Sequence, residues 1–127
     1  MYIYYNNNPL GLHTGDCVIR ALSVLLEQTW DQTYTDISVQ GFVMGLMPSS
    51  NAVHQVYLEQ HGYYITPVPS SCPQCITVRE FADMYSKGRY MLAIGDHVVS
   101  VINGNYYDIF DSGDEIVAYF FSHKGGK

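Results

Sequence analysis

The fold of this chain is decided by one stretch near its start, NPLGLHTGDCVIRALSVLL, which runs from Asn8 to Leu26. Turn-forming residues fill its first half and apolar residues its second, a pattern that predicts a loop leading into a helix. Asp16 is the predicted N-cap, and Cys17 lies in the first turn. Unpaired N–H groups and the helix dipole at such a site lower a cysteine pKa from about 8.5 to between about 3.5 and 7.5. Cys17 is therefore a candidate nucleophile.

The same helix also offers a plainer interpretation of Cys17. From Val18, apolar residues recur at helical spacing, namely Ala21, Leu22, Leu25 and Leu26. This stripe predicts a face buried in the core. On that interpretation Cys17 is a small hydrophobic residue of the core. The choice depends on whether the chain places a base and an acid beside the thiol.

Length and composition limit the possible functions. A chain of 127 residues, of which 47% are hydrophobic, predicts a single domain spanning residues 1–127. The 12 acidic residues outnumber 6 scattered basic ones, so we do not expect nucleic acid as a partner. The sequence has no signal segment and no apolar run of about 18 residues, so we expect no membrane association and a cytoplasmic location. Three cysteines, an odd number, argue against a disulfide-based fold.

Periodicity divides the chain into a helical first part and a strand-rich last part. The helix start signals are Asp16, Thr29 or Asp31, Ser49 or Ser50, and the capping box Thr77-Val78-Arg79-Glu80. Strands are predicted at residues 1–5, 63–68, 90–94, 97–102, 106–110 and 115–121, with the last four forming an antiparallel meander. The sequence therefore predicts an α+β fold, with N-terminal helices packed on a C-terminal antiparallel β-sheet.

Among the five histidines, His97 differs because it begins a strongly apolar strand directly after a turn. The hairpin that follows allows two registers. A three-residue loop, Asn103–Asn105, places Asp111 opposite His97, whereas a two-residue loop leaves Asp108 as the acid on the face of His97. We favour the first register because it sorts the apolar residues better. Asp111 is thus the predicted partner of His97, with Asp108 as the alternative.

Three strings carry a resemblance to a known family: Gly15-Asp16-Cys17-Val18-Ile19-Arg20-Ala21-Leu22, Gly95-Asp96-His97-Val98-Val99-Ser100-Val101-Ile102 and Tyr107-Asp108-Ile109-Phe110-Asp111-Ser112. A cysteine starts the first long helix, and a histidine and an acid follow on late antiparallel strands. In this order the chain resembles the papain-like cysteine peptidase superfamily, most closely its small bacterial and phage members near the double-glycine-leader peptidases. The resemblance covers nearly the whole chain in its order of elements.

The resemblance implies that Cys17 is the nucleophile, His97 the base and later the acid, and Asp111 the orienting acid. We expect no cofactor, and no metal among the site residues. Papain-like enzymes usually carry a glutamine a few residues before the cysteine. The glutamine side chain and the backbone N–H of the cysteine both donate hydrogen bonds to the oxyanion. No glutamine precedes Cys17, and the nearest side-chain amide upstream is that of Asn8. Asn8 is therefore the tentative oxyanion donor beside the Cys17 backbone, or else part of a solvated turn.

The motif Cys72-Pro73-Gln74-Cys75 allows other interpretations. As a zinc site it supplies two of four ligands, and His54 and His61 complete the number without matching a common zinc module. As a redox pair it lacks a helix that starts directly after Cys72. We favour a third interpretation, a loop with two incidental thiols, and a structural metal stays open as the alternative.

These observations predict a cysteine peptidase or amidase that cuts peptide or isopeptide bonds in a peptide or protein substrate through an acyl-enzyme. One alternative is another acyl transfer on the same fold, such as transglutamination or deamidation. Another is a catalytically inactive binding protein. The sequence determines neither the cleavage specificity nor the biological target nor the oligomeric state.

Overall fold

The computed structural model describes residues 1–69 and 71–124. Within these ranges it has four helices and six strands, in the order β1 (Tyr2–Tyr4), α1 (Cys17–Leu26), α2 (Trp30–Met44), α3 (Asn51–Gln60), β2 (Tyr63–Pro67), α4 (Val78–Met84), β3 (Arg89–Ile94), β4 (His97–Ile102), β5 (Asn105–Asp108) and β6 (Tyr119–His123). The predicted α+β class is confirmed.

The strands form one mixed sheet in the order β1-β5-β4-β3-β6-β2. β1 lies parallel to β5, and every other neighbouring pair is antiparallel. The predicted meander is right for β3, β4 and β5 but wrong for the last strand, because β6 pairs with β3 and β2 rather than with β5. The segment before β6 crosses to the other side of β3, and an isolated β-bridge joins Ile116 of this segment to Thr77.

The sheet separates two apolar layers. Side chains alternate across a strand, so neighbouring residues of β3 enter different layers. Met91 and Ala93 pack with α1, α2 and α3 on one face, whereas Leu92 and Ile94 pack with α4 on the other. The first layer brings α1 against the centre of the sheet, and this contact places the start of α1 beside the start of β4.

Most helix start signals act as predicted. The Thr77 side chain accepts from the Glu80 N–H and the Glu80 carboxylate accepts from the Thr77 N–H, which completes the capping box of α4. Thr29, not Asp31, caps α2. Asp16 occupies the N-cap position of α1 but makes no side-chain cap hydrogen bond. The Asp16 carboxylate instead accepts hydrogen bonds from the side chains of Arg20 and Trp30.

The turn between β4 and β5 corrects the predicted register. Ile102 pairs with Asn105, so the loop has two residues, Asn103 and Gly104, and not three. Both have positive φ, 50° and 81°. This combination defines a type I′ turn, which matches the twist of the flanking strands and favours the Asn-Gly sequence.

Within the described part of the chain, no helix combines the length and the apolar composition needed to cross a membrane.

His54 is a buried imidazole in the core. It lies on α3, is fully inaccessible to solvent, and contacts Phe121 edge-on at 6.0 Å between ring centroids. Neither ring nitrogen has a hydrogen bond with any residue that the structure describes. Burial lowers the pKa of His54 from 6.5 to about 4, because the charged form loses its hydration there.

We predict that His54 makes the fold acid-sensitive between pH 6.5 and about 4. In this range His54 binds a proton in the unfolded chain but stays neutral in the folded chain. The free energy of unfolding therefore falls as the pH falls, by up to about 3 kcal/mol. Urea unfolding at several pH values measures this dependence of the free energy of unfolding on pH. In His54→Leu the fall between pH 6.5 and about 4 should disappear. His61→Leu, which removes an exposed imidazole at the end of the same helix, is the matched control and should keep it. An unchanged slope in His54→Leu would contradict this assignment.

Candidate active site

Cys17 and His97 meet in one cleft because α1 and β4 both begin there. The cleft has a volume of about 210 Å³, and its walls also include Ser49, Asn51 and the Gly95-Asp96 turn. Cys17 is partly exposed, and the His97 side chain is 18% exposed. Folding thus brings together two predicted site residues that are 80 positions apart in the sequence.

The thiol and the imidazole favour each other's charged form. Burial raises the pKa of Cys17. The hydrogen bonds with the His97 side chain and the Val98 backbone, together with the charges of His97 and Arg20, outweigh burial and leave this pKa below its usual value. Burial alone lowers the pKa of His97, whereas the hydrogen bonds with Asp108 and Cys17 raise it to about 9. His97 is therefore protonated at neutral pH, and its positive charge favours the thiolate form of Cys17.

Asp108 is the acid that holds His97. Its Oδ2 lies 2.7 Å from His97 Nε2 and accepts a second hydrogen bond from Ser112 Oγ at 3.0 Å. Its Oδ1 accepts from the Ile109 N–H at 2.8 Å and from Arg20 at 3.2 Å. Because Asp108 occupies Nε2, the ring atom left for the sulfur of Cys17 is Nδ1. Asp108 itself is inaccessible to solvent.

The predicted pairing of His97 with Asp111 is wrong. Asp111 lies in an exposed turn beyond β5, where its Oδ1 accepts from the Tyr106 hydroxyl at 2.8 Å and from the Gly113 N–H at 2.9 Å. Its side chain is 49% exposed and lies 3.7 Å from Arg79. The two-residue hairpin loop is the cause, since it gives the register in which Asp108 is the acid available to His97. The Asn-Gly dipeptide was the sequence signal for that register.

Arg20, which was not among the predicted site residues, completes the site. Its guanidinium lies between two carboxylates, 2.9 Å from Asp16 Oδ1 and 3.2 Å from Asp108 Oδ1. All three side chains are at most 5% exposed. Asp16 also accepts from the indole N–H of Trp30 at 2.9 Å. An arginine within an apolar helix stripe was the available signal, because a buried arginine needs a partner.

The structure does not bring Asn8 to the cleft that contains Cys17. Its amide nitrogen is 3.4 Å from Asp16 Oδ2, and its Oδ1 accepts from the Leu10 N–H at 2.9 Å. Asn8 thus braces the loop before α1, and its prediction as oxyanion donor is not supported. The backbone N–H of Cys17 remains suited to that role, because the first residue of a helix has no acceptor within the helix.

The two other cysteines form a disulfide. Cys72 and Cys75 are bonded to each other, which replaces the interpretation of two incidental thiols. The histidines once considered as zinc ligands lie elsewhere: His54 is in the core, and His61 Nδ1 is 2.8 Å from the Tyr57 carbonyl oxygen. In residues 1–69 and 71–124, no group of three or more His, Cys, Asp or Glu side chains is arranged to hold a metal ion.

No protein-family model, curated protein or solved structure matches this chain.

We predict that Arg20→Met strongly destabilises the fold. The substitution leaves the buried carboxylates of Asp16 and Asp108 without their shared cation, and removing one partner of such a buried pair costs about 3–5 kcal/mol. Urea unfolding followed by the fluorescence of Trp30, the one tryptophan in the sequence, measures the loss. Arg79→Met is the matched control, because Arg79 is half-exposed and its ion pairs lie on the surface. Equal stability of the two variants would refute the structural role of Arg20.

We also predict that Asp108→Asn and Asp111→Asn differ in thiol reactivity. Asp108→Asn removes the carboxylate that supports the imidazolium of His97. The pKa of Cys17 should then rise, and alkylation of Cys17 by iodoacetamide at pH 7 should slow by roughly tenfold for each unit of that rise. Asp111→Asn should react at the wild-type rate. Circular dichroism of both variants separates this effect from unfolding. The reverse ranking would restore Asp111 as the acid.

Proposed function

We propose that the protein is a papain-like cysteine hydrolase that cuts peptide or isopeptide bonds. Cys17 is the nucleophile, His97 the general acid and base, and Asp108 the residue that orients His97. The observation that carries this proposal is the meeting of Cys17 and His97 in one open cleft, with the thiol pKa lowered and the imidazole pKa raised. This is the pattern by which an activated nucleophile is recognised.

In the first half of the reaction the Cys17 thiolate attacks the carbonyl carbon, and a C–S bond forms as the carbonyl oxygen takes the negative charge. The Cys17 backbone N–H, at the start of α1, donates a hydrogen bond to this oxyanion. The C–N bond then breaks, and the imidazolium of His97 gives its proton to the leaving amine. A thioester between the acyl group and Cys17 remains.

In the second half a water molecule replaces the amine. Neutral His97 accepts a proton from the water, whose oxygen attacks the thioester carbon. The C–S bond breaks, and the acid product leaves as the thiolate and imidazolium return. Asp108 keeps the ring in place through both halves, because its hydrogen bond fixes Nε2 and leaves Nδ1 for the chemistry.

The arrangement of elements supports the papain-like assignment. The nucleophile starts a helix, and the base starts a central strand against which that helix packs. Cys17 lies at a helix N-terminus, where unpaired N–H groups and the helix dipole favour a thiolate. His97 lies at the start of β4 in the sheet. An inactive binding protein has no need for a Cys17 pKa below its usual value. It also has no need for a buried carboxylate, that of Asp108, that accepts hydrogen bonds from four groups.

We predict that iodoacetamide without reductant labels wild-type protein once, at Cys17, since Cys72 and Cys75 are bonded to each other. Intact-mass spectrometry should show one added group in the wild type and none in Cys17→Ala. The rate plotted against pH should have its midpoint below the usual pKa of a cysteine thiol. In His97→Ala the midpoint should move up, because the hydrogen bond and the charge of His97 no longer lower the pKa of Cys17. Labelling that persists in Cys17→Ala would reject Cys17.

Product analysis separates hydrolysis from the other acyl transfers. Incubation with a peptide library should yield new N-termini, with a rate that falls above about pH 9 as His97 loses its proton. Release of ammonia or incorporation of an added amine with the peptide bonds intact would instead favour a deamidase or a transferase. A reactive Cys17 with no product of any kind would favour the binding protein.

A further inference from the structure

A cavity on the face of the sheet opposite the Cys17 cleft has four aromatic rings in its walls. This cavity, which we call the aromatic pocket, is formed by Tyr64 of β2, Tyr90 of β3, Phe120 of β6 and Tyr85, the C-cap of α4. Its volume is about 280 Å³, close to the lower limit of ligand pockets, which measure ~300–1,000 Å³. The aromatic pocket therefore has the size for one small molecule or one side chain.

The pairing of the strands opens a gap between two of these rings. Tyr64 and Tyr90 both pair with Ser122, which lies on β6 between them. Paired residues point to the same face of a sheet and neighbouring strands lie ~4.8 Å apart, so the two tyrosines stand roughly 10 Å apart across a small serine. Ser122 and Thr66 thus leave space between the rings, and both line the aromatic pocket.

Three of the rings are held in place before any ligand binds. The Tyr85 ring stacks on Phe81, with 4.2 Å between centroids and 14° between planes. The Tyr90 hydroxyl donates a hydrogen bond to the Lys87 carbonyl oxygen at 3.2 Å, and Phe120 is buried. Ordering of side chains is part of the free energy lost when a complex forms, so a ligand of this pocket loses little by it.

The same three rings face different directions. The planes of Tyr85 and Tyr90 are inclined by 66°, those of Tyr85 and Phe120 by 52°, and those of Tyr90 and Phe120 by 72°. The face of an aromatic ring carries negative electrostatic potential, and a cation within about 6 Å of the ring centroid is attracted to it. Walls inclined in this way suit a compact, rounded cation that contacts several rings better than a flat ligand that contacts one.

The charges around the aromatic pocket indicate which kind of cation it takes. Among its lining residues that the structure describes, none carries a carboxylate, an ammonium or a guanidinium group. A lysine or arginine side chain would lose the hydration of its N–H groups there without gaining a carboxylate partner. A trimethylammonium group is positively charged but has no N–H group to satisfy. The net charge of −6 on the whole chain also attracts a cation.

We propose that the aromatic pocket binds a trimethylammonium group, carried by a small molecule such as choline or by a trimethylated lysine side chain. The proposal goes beyond the hydrolase function and does not depend on it. Ala93 and Tyr119 line the Cys17 cleft, whereas their neighbours Leu92 and Phe120 enter the other apolar layer. The sheet thus separates a ligand in the aromatic pocket from Cys17.

The first test compares choline with dimethylbutanol, its uncharged analogue, which has a carbon atom in place of the charged nitrogen. Titrations of the full chain, followed by NMR chemical shifts at pH 8, give both dissociation constants. Choline should bind about 2- to 30-fold more tightly, the range that a cation–π interaction predicts. Equal affinities, or no saturable binding of choline, would overturn the proposal.

Substitutions locate the binding. Tyr64→Leu removes a ring that is 45% exposed and keeps an apolar side chain, so the affinity for choline should fall by about 2- to 30-fold. Ser122→Leu fills the gap between Tyr64 and Tyr90 and should abolish binding, with circular dichroism to check that both variants fold. Tyr34→Leu is the matched control, because Tyr34 is 53% exposed on α2, which packs on the other face of the sheet. If Tyr64→Leu and Tyr34→Leu bind choline equally well, the pocket assignment is wrong.

A third comparison identifies the source of the trimethylammonium group. A peptide with one trimethyllysine is titrated beside the same peptide with unmodified lysine. Tighter binding of the trimethylated peptide than of choline assigns the pocket to a modified protein, and tighter binding of choline assigns it to a free small molecule. Equal binding of the two peptides would refute the selection of a group without N–H. Iodoacetamide should label Cys17 of Tyr64→Leu as it labels the wild type, so failure of this proposal leaves the hydrolase proposal untouched.

Discussion

The buried guanidinium of Arg20 is the contact on which the rest of the structure depends. It joins Asp16, at the start of α1, to Asp108, at the end of β5. Two carboxylates that are almost inaccessible to solvent can lie close together only if a cation neutralises them and hydrogen bonds satisfy their oxygens. Arg20 supplies two donors in a planar fork, which also fixes the helix against the sheet in one orientation.

This contact links stability with chemistry. Asp16, Arg20, Asp108, His97 and Cys17 follow one another with alternating charge, provided that the last two are imidazolium and thiolate. Each charge has a neighbour of opposite sign in surroundings where an unpaired charge is costly. In that state, the thiolate at the end of this series is stabilised by the same arrangement that holds α1 on the sheet.

Local signals accounted for much of the fold. Thr77 and Glu80 cap α4 as their spacing predicts, and the apolar stripe of α1 enters the core. Cys17 and His97 were identified because each stands at the boundary of an element, which the sequence marks clearly. The position of β6 between β3 and β2 was missed, since pairing between strands distant in sequence leaves no trace in the periodicity of either strand.

The sequence by itself therefore determined the elements, the class of fold, and the thiol and imidazole at the start of a helix and a strand. Only the tertiary structure decided that Asp108, not Asp111, holds His97, and that Arg20 lies between two carboxylates. The reason is geometric: a one-residue change in the hairpin loop exchanges the face that each side chain takes. Which charges meet in the interior depends on contacts across 88 positions of chain, as between Arg20 and Asp108.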